Sequence, residues 1–233
     1  MQGLILAGGR GSRLAADGVE TPKPLVEVAG RPQIVNLIET FADLGCESIT
    51  CMVRDGITVD VPGPAVVRAC RTPSSLHTLV AGLTTVPPGP VFCAMVDTVM
   101  PPRDWHRLYA GVTERLAAGS VAVLAVTPFV DDELPLYVTR DAQGFATGIL
   151  DTPPPSGASL LVTGGVYGLS PVARRLASVA VASLHRMRAF LRLLVELKVP
   201  VATVEVPRII DLDHKSDLDA AERWLTAPAE DEQ

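Results

Sequence analysis

Aromatic residues are scarce in this chain, 4% of its 233 residues, which removes the stacking platform on which single-stranded nucleic acids are held. Positive charge is also in the minority. Lys plus Arg total 20 against 26 Asp plus Glu, a formal net charge of −6, so the overall field repels nucleic acid and offers anionic lipid nothing. No apolar run approaches the ~18 residues of a membrane span. Neither a nucleic acid nor a membrane is therefore an expected partner, and any phosphate the protein handles must be met by local groups. Cysteine is sparse as well. Cys46, Cys51, Cys70 and Cys93 form no CxxC pair and no zinc spacing, and each sits in or beside an apolar run, the signature of buried free thiols. The opening segment, Met1 to Ala7, lacks a basic leader and runs into glycines. A reducing cytoplasm is the expected compartment.

What the chain does have is an alternation of short apolar runs and helical patterns, with 48% hydrophobic residues to build a core. Gly3 to Ala7, closed by Gly8 and Gly9, is a continuous apolar run of the kind buried on both faces of a parallel sheet. Helical spacing follows at Ile34, Leu37, Ile38, Phe41 and Leu44, ending at Gly45 as a C-cap. Ser48 to Val53 is a second strand, and Val66 and Val67 mark a third. Ser74 or Ser75 can cap a helix bearing Leu76, Leu79, Val80 and Leu83, and Val91 to Val96 is strand again. A helix from Pro102 to Gly119 precedes the strand Val121 to Val126. This alternation predicts an α/β layered sheet with parallel strands and right-handed crossovers.

The second half changes texture. Leu136 to Thr139 and Thr147 to Leu150 flank the turn Asp141-Ala142-Gln143-Gly144 and read as a hairpin, an insertion beside the main sheet. The loop Pro153-Pro154-Pro155-Ser156-Gly157 leads to a strand at Leu161 to Tyr167. A helix over Leu184 to Leu197, a strand over Val201 to Val206 and a helix over Ser216 to Leu225 return to the first pattern. One domain over 1–228 is expected, with a mobile polar tail at 229–233.

The most informative segment is Leu6-Ala7-Gly8-Gly9-Arg10-Gly11-Ser12-Arg13-Leu14, followed by Thr21-Pro22-Lys23-Pro24-Leu25. Glycines directly after a buried strand let backbone N–H groups approach a phosphate closely, and Arg10, Arg13 and Lys23 supply positive charge. A Walker A loop would end in GKS or GKT, and a dinucleotide fingerprint needs a third glycine opening a helix; neither is present. The segment looks built for a nucleoside triphosphate.

These residues, with Val28-Ala29-Gly30-Arg31-Pro32, resemble the opening signature of the nucleotidyltransferases that join nucleoside triphosphates to sugar phosphates, the NDP-sugar pyrophosphorylases. Weaker similarity continues through Val91 to Asp97, Thr163-Gly164-Gly165-Val166-Tyr167 and Ile210-Asp211-Leu212-Asp213. The resemblance implies a GT-A or Rossmann-like three-layer sandwich with a mixed, mostly parallel central sheet and a small β insertion. It implies that Leu6, Ala7, Gly8, Gly9, Gly11, Ser12 and Arg13 hold the nucleotide, that Arg13 stabilises departing pyrophosphate and that Lys23 contacts the phosphate under attack. Asp97 and Asp213 are the implied metal ligands for Mg²⁺, with Asp211 placed by strand alternation on the same side as Asp213. Asp151 and Gly165 fall in the implied acceptor site. The implied partners are a nucleoside triphosphate and a sugar or alcohol phosphate, with a homo-oligomer as a further expectation.

Two departures from the family pattern stand out, the second of which bears on the acceptor. Val96 stands where the family has Gly before its first metal aspartate. Asp151-Thr152-Pro153 replaces the family's Glu-Lys-Pro element, which removes a positive charge. Arg140, Arg186 and Arg188 are the candidates to supply it. The acceptor is thus a sugar 1-phosphate or, alternatively, a non-sugar alcohol phosphate taken by a cytidylyltransferase; a catalytically impaired, nucleotide-binding regulatory homologue is the third reading. Thr72-Pro73-Ser74-Ser75-Leu76 lies where relatives recognise the base, and Ser74 and Ser75 either contact nucleotide or cap the helix. Asp217 is assigned to the first turn of the last helix, His77 to a helix surface, and Trp105 and Trp224 to packing.

Overall fold

The computed structural model describes residues 1–61, 63, 65–130, 133–155 and 159–226. Ser156 and Gly157 of the proline loop and the expected tail at 229–233 lie outside the described residues. In chain order the elements are β1 (Gln2–Ala7), α1 (Ser12–Ala16), β2 (Glu27–Val28), β3 (Arg31–Pro32), α2 (Gln33–Asp43), β4 (Ile49–Arg54), β5 (Ala65–Cys70), α3 (Ser75–Leu83), β6 (Val91–Met95), β7 (Thr98–Val99) and α4 (Pro102–Ala117). There follow β8 (Ala122–Thr127), β9 (Tyr137–Arg140), β10 (Ala146–Leu150), β11 (Val162–Leu169), α5 (Pro171–Ala180), α6 (Met187–Glu196), β12 (Val201–Glu205), β13 (Ile210–Asp211) and α7 (Lys215–Thr226).

β1 is central, pairing in parallel with β4 on one side and β6 on the other. Strict alternation of its side chains assigns its two faces. Leu4 and Leu6 join Leu76, Leu79, Ala173, Phe190 and Leu191 under α3, α5 and α6. Ile5 and Ala7 join Ile34, Phe41, Leu108 and Val112 under α2 and α4. Both faces are covered, which is why these strands read as unbroken apolar runs. Phe41, Phe92 and Trp105 fasten the second layer, with Phe41 5.2 Å from Phe92 and 6.1 Å from Trp105 between ring centroids.

The sheet is parallel over β5-β4-β1-β6 and over β8-β12, and it is mixed because β11 runs antiparallel to both β6 and β8. β11 follows a hairpin rather than a crossover helix, so it enters the sheet from the opposite end. The expected insertion is therefore not separate: β9 and β10 extend the same nine-stranded sheet through the Val162↔Tyr137 pairing. β11 breaks register between Thr163 and Tyr167. Gly165 stands at that break with φ +74°, where a Cβ would lie 2.9 Å from Thr98 Oγ1, so only glycine fits.

Several local expectations need correction. The helix placed at Leu184 to Leu197 starts at Met187, and α5 was not legible because its small residues Ala173, Ala177 and Ala180 carry little hydrophobic contrast. Ser74 stands at the N-cap of α3 but makes no side-chain cap; its hydroxyl contacts His77 Nδ1 at 2.8 Å and donates to the His185 carbonyl. The four cysteines are free thiols, yet only Cys51 and Cys93 are fully buried, Cys46 and Cys70 being half-buried. Among the described residues no helix is long and apolar enough to cross a membrane.

Candidate active site

The site forms at the C-terminal edge of β1 and β6, where parallel strands of open α/β sheets present ligands. After Ala7 the chain turns through Gly8 to Gly11, and Gly11, at φ +60°, starts the single-turn α1. This left-handed residue is the reason a glycine is required there. The turn sends Arg13 into α1 and carries the chain on to Lys23, at the start of a short 3₁₀ turn over Lys23–Leu25.

A second device brings in the far end of the chain. β7 and β13 pair antiparallel, Val99 with Ile210 and Thr98 with Asp211, and the Leu212 N–H donates to the Asp97 carbonyl at 3.0 Å. Val28, Val99, Ile210, Leu212 and Ala221 bury this clip beneath α7. Asp213 is fixed further by Asp217, whose Oδ2 accepts from the N–H groups of Asp213 at 3.0 Å and His214 at 2.6 Å. The first-turn role expected of Asp217 thus doubles as support for Asp213. His214 Nδ1 meets Asp17 Oδ2 at 2.9 Å, tying the start of α7 to the end of α1.

The clip places four charged groups in contact. Lys23 Nζ donates to Asp97 Oδ2 and Asp213 Oδ1, both at 2.6 Å, and Arg13 donates to Asp213 Oδ2. Lys23 is nearly enclosed, its side chain 9% exposed. Burial pulls its ammonium down, but Asp97 and Asp213 outweigh that and hold it far above the ordinary lysine value. Burial pushes Asp213 up, and Lys23 and Arg13 overcome it, keeping the carboxyl below the usual range. Lys23 stays protonated and Asp213 ionised, so the cluster acts through fixed charge rather than by proton exchange.

Among the described residues two roomy cavities open beside it, in addition to a small one of about 30 Å³ at Asp213 and His214. One of about 230 Å³ is lined by Leu6, Gly8, Gly9, Arg10, Arg54, Thr72, Pro73, Ser74, Ser75, Thr78 and Met95. The other, about 470 Å³, is lined by Pro73, Ser74, Ser75, Met95, Asp97, Leu134, Leu136, Thr163, Gly165, Tyr167, Arg186, Met187, Arg188 and Asp211. They share the wall from Pro73 to Ser75 and Met95. The expected nucleotide residues Leu6, Gly8, Gly9, Ser74 and Ser75 come together in the first. Asp97 and Gly165 line the second, and Gly165 is there to let β11 bend. Asp151 faces neither cavity; its carboxylate pairs with Arg188 at 2.9 Å and Arg192 at 2.7 Å. Arg140 pairs with Glu205 at 2.6 Å and lines neither cavity. Arg54, at the end of β4, is a pocket residue that sequence reasoning missed; its only signal was a cation closing the apolar run from Ile49 to Val53.

Among the described residues no group of three or more His, Cys, Asp or Glu could hold a metal. Mg²⁺ needs only one or two protein carboxylates, completing its octahedron with water and substrate phosphate. Asp97 and Asp213 already converge on one cation, Lys23, so the donor set fits that ion. Asp211 instead lines the larger cavity beside Asp97 and Gly165.

Comparison with known proteins gives the family and the fold. A family model described as "MobA-like NTP transferase domain" matches residues 3–153. A mannose-1-phosphate guanyltransferase from Pichia angusta is 49% identical over 54 residues, 23% of this chain and 15% of that protein. The mannose-1-phosphate guanylyltransferase catalytic subunit beta of Drosophila melanogaster is 44% identical over 50 residues, 22% of this chain and 14% of that one. The matched stretch is thus a small part of those relatives' length. Among solved structures, the inositol-1-phosphate CTP transferase from T. maritima superposes with a TM-score of 0.75 over 97% of this chain and 98% of its own, at 14% identity. A putative glucose-1-phosphate thymidylyltransferase from Bacillus anthracis gives a TM-score of 0.77 over 97% and 95%, at 18% identity. Identities this low speak to the fold alone, and the fold is the same.

Proposed function

We propose, from the premise that the chain belongs to the family of MobA-like NTP transferase domains, that it transfers a nucleoside monophosphate from a triphosphate to a sugar 1-phosphate. The products are an NDP-sugar and pyrophosphate. The observation that carries this is the contact of Lys23 with both Asp97 and Asp213, with Arg13 on Asp213, beside a glycine turn and two adjoining cavities. Residues 1–228 act as one nucleotidyltransferase domain in this reading.

The chemistry follows from charge. An acceptor phosphate oxygen attacks the α-phosphorus and pyrophosphate departs in line, so the work is positioning and stabilisation of oxygens that gain charge. The glycine turn cradles the triphosphate, Arg13 neutralises the departing pyrophosphate and Lys23, locked in its charged form, faces the transferring phosphoryl. Mg²⁺, held by Asp97 and Asp213 when bound, supplies further charge neutralisation at the phosphates. The 230 Å³ cavity takes the nucleoside against Ser74 and Ser75, and the 470 Å³ cavity, within the range of small-molecule sites, takes the acceptor.

The missing lysine at Asp151-Thr152-Pro153 favours a second acceptor class, a non-sugar alcohol phosphate. One experiment separates the readings: incubate the protein with Mg²⁺, each of five nucleoside triphosphates and a panel of sugar and polyol phosphates, and measure pyrophosphate. Release with a sugar 1-phosphate, abolished in Arg13→Ala and Asp97→Ala, supports the main reading. Release only with polyol phosphates moves the acceptor class. Triphosphate binding with no release across the panel overturns the transferase in favour of a regulatory homologue.

A further inference from the structure

We infer that a further cavity, enclosed by α2, β7 and the start of α4, is a second ligand site, and that its ligand is a small organic ammonium ion with an apolar body. The cavity measures about 320 Å³, within the range of small-molecule sites. None of its lining residues lines the cavities beside Lys23 and Asp213, so the inference stands apart from the transferase reading. Much of the lining is apolar, with Leu37, Val99, Met100, Trp105 and Leu225. The polar groups decide what else the ligand must carry.

Gln33 stands on the wall and is only 3% exposed. Its Nε2 donates to the Thr98 carbonyl at 2.9 Å. A carbonyl can only accept, so the amide has one orientation, and Oε1 is left as a buried acceptor to which no described residue donates. A buried acceptor without a donor is costly, and the adjoining cavity is the space from which a donor can come. Asn36 and Thr40 have spent their protons in the same way. Asn36 Nδ2 donates to the carbonyls of Val28 at 3.0 Å and Arg31 at 3.4 Å, and the Thr40 hydroxyl donates to the Asn36 carbonyl at 2.8 Å. The α2 wall therefore offers acceptors and no side-chain proton. Charge at the rim has the matching sign. Glu39 and Asp43 lie on the lining with no Lys or Arg; Arg31 donates to Glu39 Oε1 and His106 Nε2 to Asp43 Oδ2 at 2.8 Å, which leaves one oxygen of each carboxylate for a ligand. Such a rim repels phosphates and carboxylates and attracts a cation. An ammonium group supplies the missing donors while its hydrocarbon covers the apolar lining. Thr98 follows Asp97, so a ligand on Gln33 rests against the strand that leads away from the charged cluster.

The test uses the full chain with 3-phenylpropylammonium as probe and 3-phenylpropan-1-ol as its uncharged counterpart, each titrated while the ¹⁵N NMR signals of the Gln33 amide and the Trp105 indole are followed. Both signals are expected to shift saturably with a Kd in the millimolar range or tighter, the affinity that a ligand of ~10 heavy atoms reaches at ordinary efficiency. The alcohol is expected to bind about tenfold more weakly, and added triphosphate is expected not to displace the probe. Thr40→Phe, which fills the cavity from a half-buried position, is expected to abolish binding, and Asp43→Asn, a surface change that spares the fold, to weaken it about threefold. No shift of Gln33 at about 50 mM probe, well above that range, overturns the site, as does an unchanged Kd in a folded Thr40→Phe. An alcohol that binds as tightly as the amine, or an affinity unaltered in Asp43→Asn, overturns the ammonium assignment.

Discussion

The two halves of the molecule meet at the site but are built differently. The first, from β1 to β8, is a run of strands and helices in which the glycine turn, Lys23 and Asp97 follow directly from the ends of parallel strands. The second reaches the site by detours: an antiparallel β11 bent at Gly165, a helix start clamped onto α3, and a two-residue strand that delivers Asp213 to Lys23. The first half thus supplies Arg13, Lys23 and Asp97 from local motif, whereas Asp213 and the far wall of the larger cavity arrive by long-range assembly.

The contrast predicts different kinds of damage. Phe41→Ala empties the packed Phe41–Phe92–Trp105 cluster beneath the first half and is expected to cost about 3–5 kcal/mol, read by urea unfolding. A loss under 1 kcal/mol would show that this layer does not hold the first half together. Lys23→Met keeps the volume but leaves Asp97 and Asp213 facing each other; pyrophosphate release is expected to fall about 100- to 1,000-fold, or ~3–4 kcal/mol of barrier. Gly165→Ala places a Cβ 2.9 Å from Thr98 Oγ1 at a positive φ and is expected to cost about 1–3 kcal/mol, with acceptor KM disturbed more than triphosphate affinity. Equal disturbance of both would blur the division between halves.

The smallest effect concerns the tether between them. Asp17 first, through its hydrogen bond, and Glu133 more weakly raise His214 above its ordinary value of 6.5, while Lys215 N–H and then His214 hold Asp17 below 3.8. A raised histidine value means the tether is complete below pH 6.5 and is lost as pH rises through the folded-state value. A depressed aspartate value means its share is present above 3.8 and is lost as pH falls through that lower value. NMR titration of His214 is expected to show a midpoint above 6.5 that drops toward it in Asp17→Asn. An unchanged midpoint in that variant would remove Asp17 as the cause.

Much of the first half was legible because burial on both faces of a parallel sheet leaves an unmistakable trace, an apolar run such as Val91 to Val96. α5 left almost none, since its buried face is alanine. The position of Asp151 was legible but its engagement was not: sequence alone put it in the acceptor site, whereas the structure turns its carboxylate to Arg188 and Arg192. Arg54 was missed because a cation at the end of an apolar run looks the same whether it faces solvent or a pocket.

By itself the sequence determined the glycine turn and the layered sheet, because each depends on residue type and spacing within a few turns of chain, and a family resemblance carried by its motifs pointed to Arg13, Lys23, Asp97 and Asp213 as site candidates. Only the tertiary structure decided which of Asp211 and Asp213 meets Lys23, which residues line the larger cavity, and how the second half enters the sheet. Those outcomes depend on contacts between residues far apart in the chain, Lys23 with Asp213 and Ser75 with Met187, and no local pattern carries the register of β13 against β7 that creates the first of them.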